Sequence, residues 1–280
     1  MTRQRRWRTL VPTIAAAVAL AATHPMPAQA APPELPRDAV AVIGDFGSGL
    51  DAESRVADLV TAARPVAVVT TGDNVYSDRG YPTLVGDYYG PWVAGEDLLP
   101  AVGNHDHDIG IAAFDEYFGY LDGRHVYSAG RGGMRFFFVD STTALGSSTS
   151  MARQRAWLKR SLLASRARWK VVVLHHPPYS SGAHGSSTQL RWPYAAWGAD
   201  LVLSGHDHDY ERVVADRMTF VVDGAGGKEL YDFGAPLPGS RVRYNAGYGA
   251  LFLTATARTL TGEFWSADGE WVDRFVLRSS

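Results

Sequence analysis

Val66-Ala67-Val68-Val69-Thr70-Thr71 runs directly into Gly72-Asp73-Asn74-Val75-Tyr76. The first half is rich in β-branched residues and reads as a short buried strand, so the second half sets a carboxylate, an amide and a phenol where that strand ends. Strand ends are where open α/β sheets build ligand sites. Four other segments carry similar polar clusters, Gly44-Asp45-Phe46-Gly47, Gly103-Asn104-His105-Asp106, Val172-Val173-Leu174-His175 and Gly205-His206-Asp207-His208, and three of the five directly follow an apolar or β-branched run. Singly, each is compatible with a helix cap or a hydrogen-bonded core histidine. Together they assemble the donors of a metal centre.

Working outward from Val66, the stretches Ala39 to Gly44, Arg135 to Val139, Trp169 to Leu174 and Asp200 to Leu203 are also short apolar runs and predict strands. Asp51 to Ala63 predicts a helix capped at Asp51, with Val56, Leu59 and Val60 on one face and Pro65 beyond its end. Met151 to Ala164 predicts a second, with Trp157, Leu158 and Leu162 on one face and arginines on the other. Beyond His208 the pattern turns to strands alone: Met218 to Val222, Gly249 to Thr256, Thr259 to Ser266 and Glu270 to Leu277. The last two are joined by a turn at Ala267-Asp268-Gly269. Gly224 to Gly239 reads as a surface loop, and its Gly224-Ala225-Gly226-Gly227 is no nucleotide-binding loop because no helix follows. With no linker and no repeat, the simplest assembly is α/β: one domain of two sheets with helices outside.

The 280 residues are 46% hydrophobic and 20% charged, an ordinary globular composition, and contain no cysteine. Any metal must therefore be held by nitrogen and oxygen donors. Residues 1–30 stand apart. Arg3, Arg5, Arg6 and Arg8 precede an apolar run from about Leu10 to Ala22, and Ala28-Gln29-Ala30 is a small-x-small cleavage pattern. The run is short of the roughly 20 residues that span a bilayer, so residues 1–30 are expected to be a cleaved signal peptide and 31–280 the catalytic domain. Arg5-Arg6 keeps the twin-arginine route open beside the general secretory one. Without the leader, 27 − 4 = 23 basic residues face 29 acidic ones, which indicates no nucleic-acid partner. A secreted or extracytoplasmic protein with no membrane partner after cleavage is expected.

In order, the five segments match Asp-x-Gly, Gly-Asp-x-x-Tyr, Gly-Asn-His-(Asp/Glu), Val-x-x-His and Gly-His-x-His, spread from Asp45 to His208. This set resembles the calcineurin-like metallophosphoesterases and, within them, the purple acid phosphatases. The distinguishing position is Gly47, where most metallophosphoesterases carry a histidine ligand, with Tyr76 as the implied substitute. The resemblance implies a four-layer αββα sandwich of two mixed sheets flanked by helices. It also implies a binuclear centre, with Fe(III) held by Asp45, Asp73, Tyr76 and His208. A divalent Fe, Zn or Mn would then be held by Asn104, His175 and His206, with Asp73 as the bridge. In the implied reaction a metal-bound hydroxide attacks a phosphate monoester in line, and His105 and/or His184 protonates the leaving group. Small-molecule and phosphoprotein monoesters are the implied substrates. Two other readings stay open: a metallophosphodiesterase or non-iron phosphatase, and a secreted metal- or phosphate-binding protein without turnover.

Neighbouring residues carry expectations of their own. Asp106 is expected to hold His105, and His176 to support the site or pack beside it. His107 and Asp108 are expected to be loop residues near the rim, His125 to lie at a strand edge, and Asp140 to cap the turn after its strand. Arg212 is expected to pair with an acid. Tyr81, Tyr88, Tyr89, Trp92, Tyr179 and Trp192 are available either to stack on a leaving group or to pack loops down.

Overall fold

Continuous apolar strands are buried on both faces, and the alternation of their side chains shows what covers each face. The computed structural model describes residues 35–279, so the expected signal peptide at 1–30 lies outside the described residues. In β1 (Val40–Ile43), Val40 and Val42 point into one core while Ala41 and Ile43 point into another. In β2 (Ala67–Thr70), Ala67 and Val69 join the first core and Val68 the second. The first core lies between two sheets and the second lies under helices.

Among the described residues thirteen strands form these sheets. In the six-stranded sheet β1, β2 and β3 (Leu98–Pro100) run parallel, with Val40 opposite Ala67 and Val68 opposite Leu98. β11 (Gly249–Ala255) adds antiparallel to β1, followed by β12 (Thr259–Ser266) and β13 (Trp271–Arg278). The seven-stranded sheet is built on β5 (Met134–Val139), β6 (Trp169–Leu174), β7 (Leu201–Ser204) and β9 (Met218–Asp223), all parallel. It is completed by antiparallel β4 (Tyr127–Arg131) at one edge and β8 (Tyr210–Ala215) with β10 (Ser240–Tyr244) at the other. Helices α1 (Asp51–Ala63), α2 (Asp87–Ala94) and α3 (Asn104–Tyr117) belong with the first sheet. Helices α4 (Ser141–Gly146) and α5 (Ser148–Ala164) belong with the second, where Leu158 and Leu162 meet Phe137, Val172 and Val202. This is the expected sandwich of two mixed sheets with helices outside.

Several elements are absent from the sequence reading, and each lacks the pattern on which such a reading depends. β3 is only three residues, and β8 opens on Tyr210-Glu211-Arg212. α3 begins on Asn-His-Asp-His instead of an apolar stripe and is broken by Gly110 at φ 122°. The loop expected after Tyr76 contains a wide helical turn at Pro82–Gly86 that leads into α2. The expected cap on α1 is also displaced: Leu50 occupies the cap position without a side-chain bond, and Glu53 instead accepts from the Gly49 amide at 2.6 Å. No helix among the described residues is long and apolar enough to cross a membrane.

Candidate metal centre

All five segments lie just beyond the carboxyl ends of parallel strands, Asp45 after β1, Asp73 and Tyr76 after β2, Asn104 after β3, His175 after β6, and His206 and His208 after β7. The two sheets present these ends to the same place. Asp45, Asp73 and His206 have left-handed backbones, with φ of 55°, 52° and 74°. Such conformations cost roughly 1 to 3 kcal/mol each and persist only where surrounding bonds impose them. Here the His206 amide donates to Asp45 Oδ2 at 2.9 Å, and the His105 amide donates to Asp73 Oδ1 at 2.9 Å.

The side chains form two groups. In one, the Tyr76 hydroxyl lies 3.0 Å from Asp45 Oδ1 and 3.0 Å from His208 Nε2. In the other, His175 Nε2 is 3.0 Å from Asn104 Oδ1, 3.2 Å from His206 Nδ1 and 3.3 Å from Asp73 Oδ2. Donor atoms of Asp73, His175 and His206 all lie within 4.8 Å of one another. Asp73 borders both groups, since its charge also acts on the Tyr76 phenol.

Backbone carbonyls set the imidazole tautomers. His175 Nδ1 donates to the Thr71 carbonyl at 3.0 Å and His208 Nδ1 to that of Glu229 at 2.7 Å. In the neutral rings each Nε2 then presents a lone pair to carboxylate, amide or phenol oxygens. Lone pairs aimed at one another in a buried site repel unless a cation lies among them, so this nitrogen and oxygen donor set fits a pair of hard or borderline metals.

The titration of these groups agrees with that reading. Burial alone would depress His175, but Asp73 and then Asp45 outweigh it and push it up to about 9. Burial alone would likewise raise Asp73, yet His175 and then His105 hold its carboxyl well below the usual range. Burial, then the repulsion of Asp45 and Asp73, pushes the Tyr76 phenol well above its ordinary value, a shift that a cation beside it would oppose.

His105 and His184 flank this centre from opposite sheets. His105 is 42% exposed, with its ring centroid 4.5 Å from that of Tyr76. His184 stacks on His206 at 4.3 Å. Its loop is pinned by buried Asp207, which accepts from the His184 amide at 2.6 Å, the Gly185 amide at 3.2 Å and the Ser180 hydroxyl. Asp207 lies between two proposed donor histidines in sequence yet is turned to the His184 loop, in a bent segment where His206 has a left-handed backbone.

Asp106 departs from expectation. Instead of holding the His105 ring, it turns back from the start of α3 to accept from the Gly103 amide at 2.8 Å, Asn74 Nδ2 at 2.9 Å and the Tyr81 hydroxyl at 2.8 Å. It thereby fixes the loop that carries Asp73 and Tyr76. Burial, then Asp73, raises its carboxyl to about 6. His107 also departs from expectation, because it sits inside α3 with Nε2 3.2 Å from Asp140, which itself caps α4 by accepting from the Thr143 amide at 3.0 Å. His176 bonds Ser141 Oγ at 2.9 Å and lies against His206, with centroids 4.3 Å apart. His125 pairs with Asp115 at 2.7 Å. Arg212 pairs with Asp273 through two bonds of 2.7 and 2.9 Å, as an acid-pairing arginine should.

Tyr81, Tyr89 and Trp192 are buried as packing. Besides Tyr76, the aromatic ring at the centre is that of Tyr231, stacked on His208 at 4.0 Å and edge-on to His184 at 5.3 Å. Lys228 joins it from the same loop, with its amide donating to the Asp45 carbonyl at 2.9 Å and its ammonium 5.1 Å from the Tyr76 ring. The only sequence signal for this loop is Gly224-Ala225-Gly226-Gly227, where Gly226 donates to the Gly44 carbonyl at 2.9 Å and brings the loop against the first strand end.

Comparison with known proteins gives the same picture. The family profile for calcineurin-like phosphoesterases matches residues 39–210, more than half of the chain and all five segments. Purple acid phosphatase 17 of Arabidopsis thaliana is 26% identical over 197 residues, which is 58% of this chain and 58% of that protein. Tartrate-resistant acid phosphatase type 5 of Homo sapiens is 23% identical over 238 residues, 66% of this chain and 71% of that one. Among solved structures, GAP50, the anchor in the inner membrane complex of Plasmodium, superposes with a TM-score of 0.69 at 20% identity, covering 86% of this chain and 89% of its own. Purple acid phosphatase PPD1 from yellow lupin seeds superposes with a TM-score of 0.65 at 17% identity, covering 86% and 53%. These structures speak to the fold alone. The matched profile also implies a binuclear metal centre, for which the Asp73, His175 and His206 donors provide one cluster. By the extent of that match, the chain belongs to the calcineurin-like phosphoesterase family.

Proposed function

We propose that the protein is an exported acid phosphatase of the purple type, hydrolysing phosphate monoesters at a binuclear metal centre. The observation that carries this reading is Gly47 standing in place of a side-chain donor, together with Tyr76. A Cβ at position 47 would lie 1.8 Å from the Asn74 carbonyl oxygen, so a histidine cannot stand there. The Tyr76 phenol instead reaches both Asp45 and His208. A phenolate suits a trivalent ion, which assigns Fe(III) to Asp45, Asp73, Tyr76 and His208. The more neutral set of Asn104, His175 and His206, sharing Asp73, suits divalent Fe, Zn or Mn.

When bound, the metal pair neutralises charge on the phosphate and activates water as the nucleophile. The chain's own groups do the rest. His105 and His184 stand on opposite sides of the centre, where an imidazolium can hydrogen-bond a phosphate oxygen or give its proton to the departing alkoxide. Thr71 and Glu229 keep the donor imidazoles in the tautomer that binds metal. Export is supported by the arginines, apolar run and cleavage pattern of residues 1–30. Small-molecule and phosphoprotein monoesters are the proposed substrates.

The test is hydrolysis of p-nitrophenyl phosphate against bis(p-nitrophenyl) phosphate by the full chain loaded with iron and zinc, from about pH 4 to about pH 8. Faster turnover of the monoester, strongest on the acid side, is expected. A faster diester reaction points instead to a phosphodiesterase, and no turnover of either at any pH points to a binding protein.

A further inference from the structure

The outer face of α5 has a character unlike the rest of the molecule. From Ser141 to Ala199 the chain contains no Asp or Glu, yet it carries Arg153, Arg155, Lys159, Arg160, Arg166, Arg168, Lys170 and Arg191, in a protein whose formal net charge is −2. The four cations of α5, with Arg166 just beyond it, are exposed, and none has a carboxylate within salt-bridge distance among the described residues.

Helical geometry orders these groups. Gln154, Leu158 and Leu162 are buried against the seven-stranded sheet. Opposite them runs an uncharged ridge of Ala152, Ala156 and Leu163, the last 60% exposed. At 100° per residue, Arg153 and Arg160 lie along one side of that ridge and Arg155 and Lys159 along the other. A groove of about 360 Å³ beside the second row is lined by Arg155, Lys159 and Trp197. Another of about 470 Å³ near the end of the helix is lined by Arg135 and Arg166.

We propose that this face docks the protein on an anionic phospholipid membrane. An apolar ridge flanked by two rows of cations is the arrangement of a helix lying in the plane of a membrane interface, with the ridge entering the headgroup layer and the cations meeting lipid phosphates. A polyanionic chain such as polyphosphate would use the cations but gain nothing from Leu163, which is why the lipid surface is the better partner. Docking through the helical layer leaves the strand ends that carry the metal donors open to solution. This revises the sequence-based expectation of no membrane partner, and it stands independently of the phosphatase reading.

The test is co-sedimentation of the full chain with phosphatidylcholine vesicles, with and without phosphatidylglycerol, at low and high salt. Retention on neutral vesicles reports the apolar stretch near residues 10–22, which is common to all variants. Preferential binding to anionic vesicles is expected, falling on the order of tenfold or more in R153E/R160E. It should weaken severalfold in L163S, fall at high salt, and survive in R274E/R278E, which makes the same charge change on β13 of the other sheet. R153Q/R160Q provides a milder version of the first variant, and thermal melts confirm that each is folded. No preference for anionic lipid, or an equal loss in R274E/R278E, overturns the proposal. Unchanged vesicle binding by L163S together with tight, Arg153-dependent binding of polyphosphate overturns it in favour of a polyanion site.

Discussion

Gly47 and Tyr76 act as one unit. The Tyr76 amide donates to the Gly47 carbonyl at 2.9 Å, so the residue that has no room for a side chain also positions the one that provides the phenol. Gly47→Ala puts a methyl group against the Asn74 carbonyl and must shift one of the two segments. Thermal melting should show a loss of several degrees, and iron-loaded protein should show a weaker visible band. A variant identical to the wild type in both would contradict this coupling. His105 plays a different part, because its ring is partly exposed and shares no bond with the donor groups. His105→Ala is expected to leave metal content intact and lower kcat on alkyl phosphates by on the order of 100-fold. The effect should be smaller on p-nitrophenyl phosphate, whose leaving group needs less protonation. Equal losses on both substrates would assign His105 to phosphate binding alone.

At the level of elements, what is legible in a sequence follows what its patterns encode. β1, β2, β6 and β7 are continuous apolar runs because both their faces are covered, and they can be read directly. Six of the seven proposed metal donors are equally legible, because each stands a short distance from such a run, whereas Asn104 follows the three-residue β3 and is legible only from its Gly-Asn-His-Asp segment. What holds the donors is not legible. Asp106, Asp207, Glu229 and Tyr231 act through contacts that close only when distant segments meet, for example between Glu229 and His208, 21 positions apart. α1 shows the same limit and offers a measurement. Glu53 is buried on it with one carboxyl oxygen bonded to Gly49 and the other unpartnered. Burial raises this group from 4.5 to about 8. The folded state therefore binds its proton more tightly than the unfolded chain does. The resulting stability is full below about 4.5 and is lost as pH rises through about 8. Glu53→Gln should remove this slope. In urea unfolding the variant should match the wild type near the acid end and exceed it on the order of 3 kcal/mol at alkaline pH. A pH-independent difference between the two would contradict the assignment.

Over the whole molecule, two parallel strand clusters from different sheets bring their carboxyl ends together, and the metal donors are divided between them. Asp45, Asp73, Tyr76 and Asn104 come from the first sheet, and His175, His206 and His208 from the second. On the proposed assignment neither sheet alone supplies a complete set for either ion, so the core between them, with Val42, Val69, Val173 and Leu203, also sets the geometry of the centre. The sequence shows which strands precede the proposed donors, but the pairings within each sheet, such as β7 with β9 and β1 with β11, depend on long-range register. On the proposed reading, Tyr76 binds iron in place of a donor that Gly47 excludes. The visible absorption spectrum of the iron-loaded full chain tests it, compared with that of Tyr76→Phe at equal iron content. A broad charge-transfer band in the wild type that is absent from the variant is the predicted result. A band that survives in Tyr76→Phe, or an active protein that takes up no iron and shows no band, would contradict it.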